Sequence, residues 1–312
     1  MKKFLVKLCM FIFILSAIIL SLSWLYTPFL LKDLCTENFR DMPERIQICN
    51  LGSSHGECSF YYDGVSNKFS CFNFGLSAQT LMYDYRILQH YVNHINEGGI
   101  VFIVISYFSF FGGPETEAEN FIAWNNRYYT ILPSRLIKNY DFITDCIINY
   151  FSVMTFKIGS ILNSIRGIQG DMKRADELND IKEAGEERAT RHLFNIIRDE
   201  DGTILFSRER TEALHNIIAL CREKKLIPIL VTTPYLKEYT EPIKRDSEFM
   251  KEFKSVLKDV IASENLKYYD YSEDERFSHD CTLFRDPDHL NRNGALKFTQ
   301  ILIEDVMRDL NQ

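Results

Sequence analysis

Two short runs hold the side chains best suited to covalent chemistry: Asn50-Leu51-Gly52-Ser53-Ser54-His55-Gly56 and Asp286-Pro287-Asp288-His289-Leu290. A serine hydroxyl becomes a nucleophile when an imidazole can take its proton, and the imidazole does this best when a carboxylate holds its other nitrogen. Asp286-x-x-His289 offers such a base with its orienter, which makes Ser54 the nucleophile of an acyl transfer or ester hydrolysis. Asp288 is an alternative orienter. His55, beside Ser54, reads as a loop or pocket-rim residue, because neighbouring side chains in a turn seldom converge on one proton. A different chemistry is open to His279, Asp280, Asp286, Asp288 and His289, whose oxygen and imidazole donors suit a divalent cation. Their spacing follows no metal motif and leaves Gly52-Ser53-Ser54 unexplained, so no metal is expected. No glycine-rich phosphate loop follows any apolar strand, and no nucleotide or other cofactor is expected either.

These residues need a frame that brings the two runs together. Apolar strands are predicted at 46–51, 69–74, 100–106, 226–232 and 266–270, with helical periodicity between several of them. That alternation argues for a parallel sheet covered by helices. One helix follows the second strand, with Ser77 as cap and Leu81, Tyr85, Leu88 and Val92 on one face, stopped by Gly98 and Gly99. Others are predicted over Thr211 to Lys225 and Gly294 to Leu310. His289 falls in a loop just before the last of these, with Asn291 or Asn293 available as its cap. A Gly-Ser-Ser turn after the first strand would expose a hydroxyl at the carboxyl edge of the sheet.

The pairing resembles the SGNH (GDSL-like) hydrolase superfamily, and the Gly52-Ser53-Ser54 form of the turn is similar to its envelope acylation branch, which includes D-alanyl-lipoteichoic acid transfer and alginate O-acetylation proteins. The resemblance implies a three-layer α/β/α, flavodoxin-like fold with a Ser54, Asp286, His289 triad. It also implies oxyanion donors at the backbone amides of Ser54 and Gly75, from the block Asn73-Phe74-Gly75, with Asn73 a further candidate. The third family block departs: Val104-Ile105-Ser106-Tyr107 stands where members carry Gly-x-Asn-Asp, leaving Ser106 and Tyr107, with His55, as candidate substrate contacts. A cell-envelope glycan or acyl-carrier substrate and a membrane-bound O-acyltransferase partner are further implications. A glycan- or partner-binding module with little catalysis is the alternative that the altered third block favours.

Composition and address agree with such a setting. With 312 residues, 46% of them hydrophobic, the chain can bury a large core, and its net charge of -7 comes without the basic stripe that nucleic-acid binding needs. Lys2, Lys3 and Lys7 precede the nearly uncharged run Leu8 to Leu31, which Trp24 and Tyr26 close like interfacial anchors. Residues 1–31 are therefore read as an uncleaved single-pass anchor with a cytoplasmic amino terminus, 32–44 as a polar linker, and 45–312 as an extracytoplasmic catalytic domain. Within that domain, about 111–210 reads as a helical insertion. Its aromatics Phe121, Trp124, Tyr128 and Tyr129 are expected to pack it onto the sheet, with substrate or membrane contact as the alternative, and its charge run Asp171 to Arg191 reads as a solvated helix or loop. The eight cysteines are irregularly spaced; Cys49, Cys71 and Cys221 read as small buried hydrophobes, and Cys58 with Cys71 is an available pairing.

Overall fold

The strand run Ile100–Val104 is apolar at every position, as a strand buried on both faces must be. In the computed structural model it is the central strand of a five-stranded parallel sheet. The structure describes residues 1–112, 125–156, 175–193, 201–202 and 204–311. In chain order its helices and strands are α1 (Lys2–Asp33), β1 (Ile46–Leu51), α2 (Ser54–Ser59), β2 (Cys71–Asn73), α3 (Leu81–Tyr91), β3 (Ile95–Val104), α4 (Phe142–Asn149), α5 (Ala175–His192), α6 (Arg208–Glu223), β4 (Ile227–Thr232), α7 (Lys237–Arg245), α8 (Ser247–Glu264), β5 (Lys267–Asp270), α9 (Glu275–Ser278), β6 (Phe284–Asp286), β7 (His289–Leu290) and α10 (Arg292–Leu310).

The chain forms two compact units, one of Met1–Met42 with Asn120–Gln169, the other of Pro43–Glu119 with Gly170–Gln312. The second holds the sheet, in the order β2-β1-β3-β4-β5, the flavodoxin-like order whose switch point lies between β1 and β3. Ile48, Phe102, Val104, Ile229 and Val231 face a core shared with Phe298, Leu302 and Val306 of α10. Alternate residues turn the other way: Cys49, Val101, Ile103 and Leu230 are fully buried there, and Cys221 of α6 lies within electrostatic reach of Cys49. Helix α6 lies beside α3. The α3 stripe differs from the expected one: Asp84 and Ile87 are buried with Leu81 and Leu88, while Tyr85 is half exposed. Ser77 does not cap this helix, because its hydroxyl bonds to Glu57; Thr80 precedes the first turn, and α3 ends at Tyr91, before Gly98.

In the first unit α1 is one helix of 32 residues whose most apolar stretch has a mean hydropathy of 2.6 and no buried residue. Its carboxyl-terminal end is built into the unit: Ser23, Tyr26, Leu30 and Leu31 are buried. The linker region is structured too, since the helix runs to Asp33 and buried Thr36 bonds to Thr130. Tyr128 and Tyr129 are buried in this unit, whereas Phe121 and Trp124 lie outside the described residues. All eight cysteines are free thiols, so Cys58 and Cys71 are not bridged.

Candidate active site

The turn after β1 is shaped by close approach. Gly52 has φ +139°, and a Cβ there would lie 2.8 Å from Val104 Cβ. Its amide donates to Asp84 Oδ1 at 2.7 Å, and Gln79 Nε2 donates to the same oxygen at 2.7 Å. Asp84 is buried, and burial pushes its carboxyl up from 3.8 to about 7 against the pull of those two donors. The turn thus delivers Ser54, half exposed, at the head of α2.

The base arrives on a hairpin rather than the expected loop. Strands β6 and β7 pair antiparallel with Asp286 opposite His289, so the x-x spacing is the tip of a turn that sets acid and base side by side. Asn291 secures the hairpin to α10. It caps the helix through Gly294 N at 3.0 Å and donates to the carbonyls of Thr282 at 2.7 Å and Phe284 at 3.3 Å. A Cβ on Gly294 would fall 2.1 Å from Leu283 O, so only glycine fits.

His289 Nε2 lies 2.7 Å from Ser54 Oγ and its Nδ1 2.7 Å from Asp286 Oδ1, forming one continuous chain. Asp288 Oδ1 is farther from Nδ1, at 3.5 Å, which leaves Asp286 as the orienter. Asp288, 1% exposed, belongs to a second layer: its Oδ2 lies 3.2 Å from His55 Nε2 and its Oδ1 pairs with Arg188 Nε. Burial alone would raise this carboxyl, but His289, His55 and Arg188 outweigh it and hold it well below the ordinary range. Burial lowers His55 despite its bond to Asp288, so His55 is a neutral donor to that carboxylate. His192 is lowered to about 4 by burial, and its Nδ1 lies 2.8 Å from Tyr239 Oη.

Arg188 Nη2 stands 3.2 Å from His289 Nδ1 and 3.9 Å from Asp286 Oδ1. This contact bears on the tautomer. If Nδ1 accepted from Arg188, the proton would sit on Nε2 and His289 could not deprotonate Ser54; the shorter contact and negative charge of Asp286 favour Nδ1–H instead. Arg188 and His192 come from α5, Arg188 within the run read as solvated and His192 just past its end, and the sequence carries no sign of their part in the site. The docking of α5 on α7 explains how they reach it: a Cβ on Gly185 would lie 2.8 Å from the Glu238 backbone, so the two helices approach closely one turn before Arg188.

Other expected residues lie elsewhere. His55 is fully buried behind His289, with ring centroids 4.9 Å apart, and is no rim residue. Ser106 and Tyr107 are buried: the Ser106 amide and hydroxyl engage Ser109 Oγ at 2.8 and 3.1 Å, and Tyr107 packs between Tyr235 and Phe253. They present no surface to a substrate. The Gly75 amide donates to Asn73 Oδ1 at 2.8 Å, and Asn73 Nδ2 donates to the carbonyls of Gly56, Glu57 and Phe60. Asn73 therefore braces α2 against β2, and in this arrangement neither residue is free to meet an oxyanion. The Ser54 amide heads a helix, where first-turn N–H groups have no intrahelical acceptor.

Ligand atoms of His55, Asp288 and His289 fall within 4.8 Å of one another. A cation among them would have to displace the Arg188 guanidinium from Asp288 and His289 from its two partners. His279 and Asp280 serve elsewhere, His279 beside Ser278 Oγ and Asp280 as the cap of Thr282.

No protein-family model and no curated protein matches the chain. Solved structures similar to it include a GDSL-like lipase from Bacteroides thetaiotaomicron (10% identity, TM-score 0.41, covering 91% of this chain and 99% of that one). A proposed acylhydrolase from Bacteroides fragilis has 10% identity and TM-score 0.41, covering 88% of this chain and 95% of that one. A proposed lipolytic protein of the G-D-S-L family from Desulfitobacterium hafniense has 12% identity and TM-score 0.37, covering 82% and 96%.

Proposed function

We propose that the protein is a membrane-anchored serine esterase or O-acyltransferase. The observation that carries this reading is the hydrogen-bond chain Ser54 Oγ, His289 Nε2, His289 Nδ1, Asp286 Oδ1, with both links at 2.7 Å. Ser54 Oγ attacks an ester or thioester carbonyl while His289 takes its proton and Asp286 stabilises the imidazolium. His289 then returns the proton to the departing alkoxide or thiolate, leaving an acyl group on Ser54. In the second half His289 deprotonates water or a sugar hydroxyl, which attacks the acyl-serine and releases Ser54 as the hydroxyl. The Ser54 amide is the donor best placed for the oxyanion.

In this reading α1 is retained as an anchor, supported by the burial of Ser23, Tyr26, Leu30 and Leu31 at its outer end, because cleavage near there would uncover the residues packed against them. The amino terminus is cytoplasmic and the catalytic unit extracytoplasmic. The substrate is a cell-envelope polysaccharide or acyl carrier, with a membrane-bound O-acyltransferase as partner. The engagement of the Gly75 amide by Asn73 favours a second reading, a glycan- or partner-binding module with weak turnover.

Exposure of the full chain in detergent to a fluorophosphonate probe, with Ser54→Ala and His289→Ala alongside and peptide mapping of the adduct, separates the two. Modification at Ser54 that both substitutions abolish is the expected result. A folded protein that takes no label sinks the hydrolase reading in favour of the binding module.

A further inference from the structure

Among the described residues that follow α1, Phe206 and Leu310 are exposed singly, and every other exposed large apolar side chain falls between Tyr140 and Phe156. Phe142 is 68% exposed, Ile143 66%, Tyr150 62%, Met154 67% and Phe156 50%. Five exposed large apolar side chains within one short segment call for something to cover them. Its acids are engaged locally: Asp141 caps Thr144 N at 2.6 Å, and Asp145 meets Tyr140 Oη and Asn149 Nδ2, both at 2.5 Å.

The segment's place on α1 identifies the cover. Ser152 Oγ donates to Ser23 O at 2.9 Å and lies 3.0 Å from Thr27 Oγ1, the Val153 amide donates to Ser23 Oγ at 3.3 Å, and the Tyr26 and Phe156 rings are 5.5 Å apart. Lys7 to Trp24 spans roughly 26 Å at the helical rise of about 1.5 Å per residue, close to the hydrocarbon thickness of a bilayer. With Lys7 at one boundary, Trp24, 76% exposed, reaches the other, and residues bonded to Ser23 and Thr27 lie at that same level, where aromatic side chains collect. A groove of about 530 Å³ beside them is lined by Leu20, Trp24, Leu25, Arg40, Asn149 and Tyr150. Its apolar wall suits an acyl chain and Arg40 a lipid phosphate.

We propose that residues 140–156, fixed to the outer end of α1, form a second membrane-contact surface lying in the headgroup–acyl boundary. The proposal rests on the anchor reading of α1 and is independent of the catalytic one. The test places the photoreactive residue p-benzoylphenylalanine, one position at a time, at Phe13, Ile143, Met154 and, as a control, exposed Lys254 of α8. The full chain is reconstituted in phosphatidylethanolamine/phosphatidylglycerol vesicles, irradiated and mapped by mass spectrometry. Lipid adducts at 13, 143 and 154 with none at 254 are expected. Adducts at 13 alone, or cross-links from 143 and 154 to a second copy of the chain, overturn the membrane surface while sparing the anchor; loss of adducts at 13 as well overturns both.

Discussion

Asp84→Asn isolates the cost of holding the nucleophile turn with a buried acid. The carboxyl rises from 3.8 to about 7 because burial disfavours its charge, and at about 1.4 kcal/mol per pKa unit the ionised form costs on the order of 4 kcal/mol of folding stability. The sign follows from where protons sit. Below pH 4 both folded and unfolded chains carry a protonated Asp84 and the cost is absent. Between pH 4 and 7 the unfolded chain releases its proton while the folded one keeps it, so stability falls as pH rises, and above 7 the full cost is present. Asparagine keeps an oxygen for the Gly52 amide and Gln79 but does not titrate. The difference in unfolding midpoint between Asp84→Asn and the natural protein, read by near-UV circular dichroism in detergent, should start near zero at pH 4. It should then grow through pH 4–7 and level off above 7 at on the order of 10 °C. A difference that does not change with pH would refute the buried-acid argument. Asp84→Ala removes the acceptor from Gly52 and should slow Ser54 labelling at every pH; labelling at the natural rate would show that the bond does not position the turn.

The two aspartates of the hairpin should separate by readout. Asp286→Asn loses the group that sets the His289 tautomer and should lower turnover by about 10³–10⁴-fold with little change in unfolding midpoint. Arg188→Met leaves the Asp288 carboxylate buried without its guanidinium, at a cost of about 3–5 kcal/mol, visible in chemical denaturation. Adding Asp288→Asn to Arg188→Met should recover part of that loss, and a double-mutant cycle with no coupling would show that the pair is not an energetic unit. Gly294→Ala drives a Cβ into the Leu283 carbonyl, so the hairpin must shift; Ser54 labelling should drop at least tenfold, and an unchanged rate would mean that the hairpin tolerates displacement.

The parts of the site that were legible in the sequence are those whose geometry is local. Asp286 and His289 lie three residues apart and meet across one hairpin, and Ser54 follows directly from β1, so spacing and strand pattern were enough to nominate them. Arg188 was not legible: its guanidinium enters the site only because Gly185 lets α5 seat on α7, a contact between segments about fifty residues apart, and in isolation it is one charge in a charged run. Asp84 reads as a polar position on an amphipathic helix until the Gly52 amide is found against it. Asn73 and Gly75 have the residue types of an oxyanion block, yet their hydrogen-bonding capacity is taken up within the β1, β2, α2 corner. Helices α7 and α8 also escaped notice, and α7 contains Pro242, a residue that disfavours a helix interior.

The triad is divided very unevenly along the chain: acid and base are neighbours, whereas nucleophile and base are 235 residues apart. A polypeptide still being made therefore carries a serine with nothing to activate it, because the hydroxyl alone is a poor nucleophile at neutral pH. Activity, on the proposed reading, begins only when the hairpin arrives and docks beside α2, one of the last long-range contacts the fold can make. On the proposed reading, an enzyme that could strip acyl groups from material along its own route stays silent until the whole intervening chain is in place, and a break anywhere between Ser54 and Asp286 that separates the pieces leaves neither of them harmful.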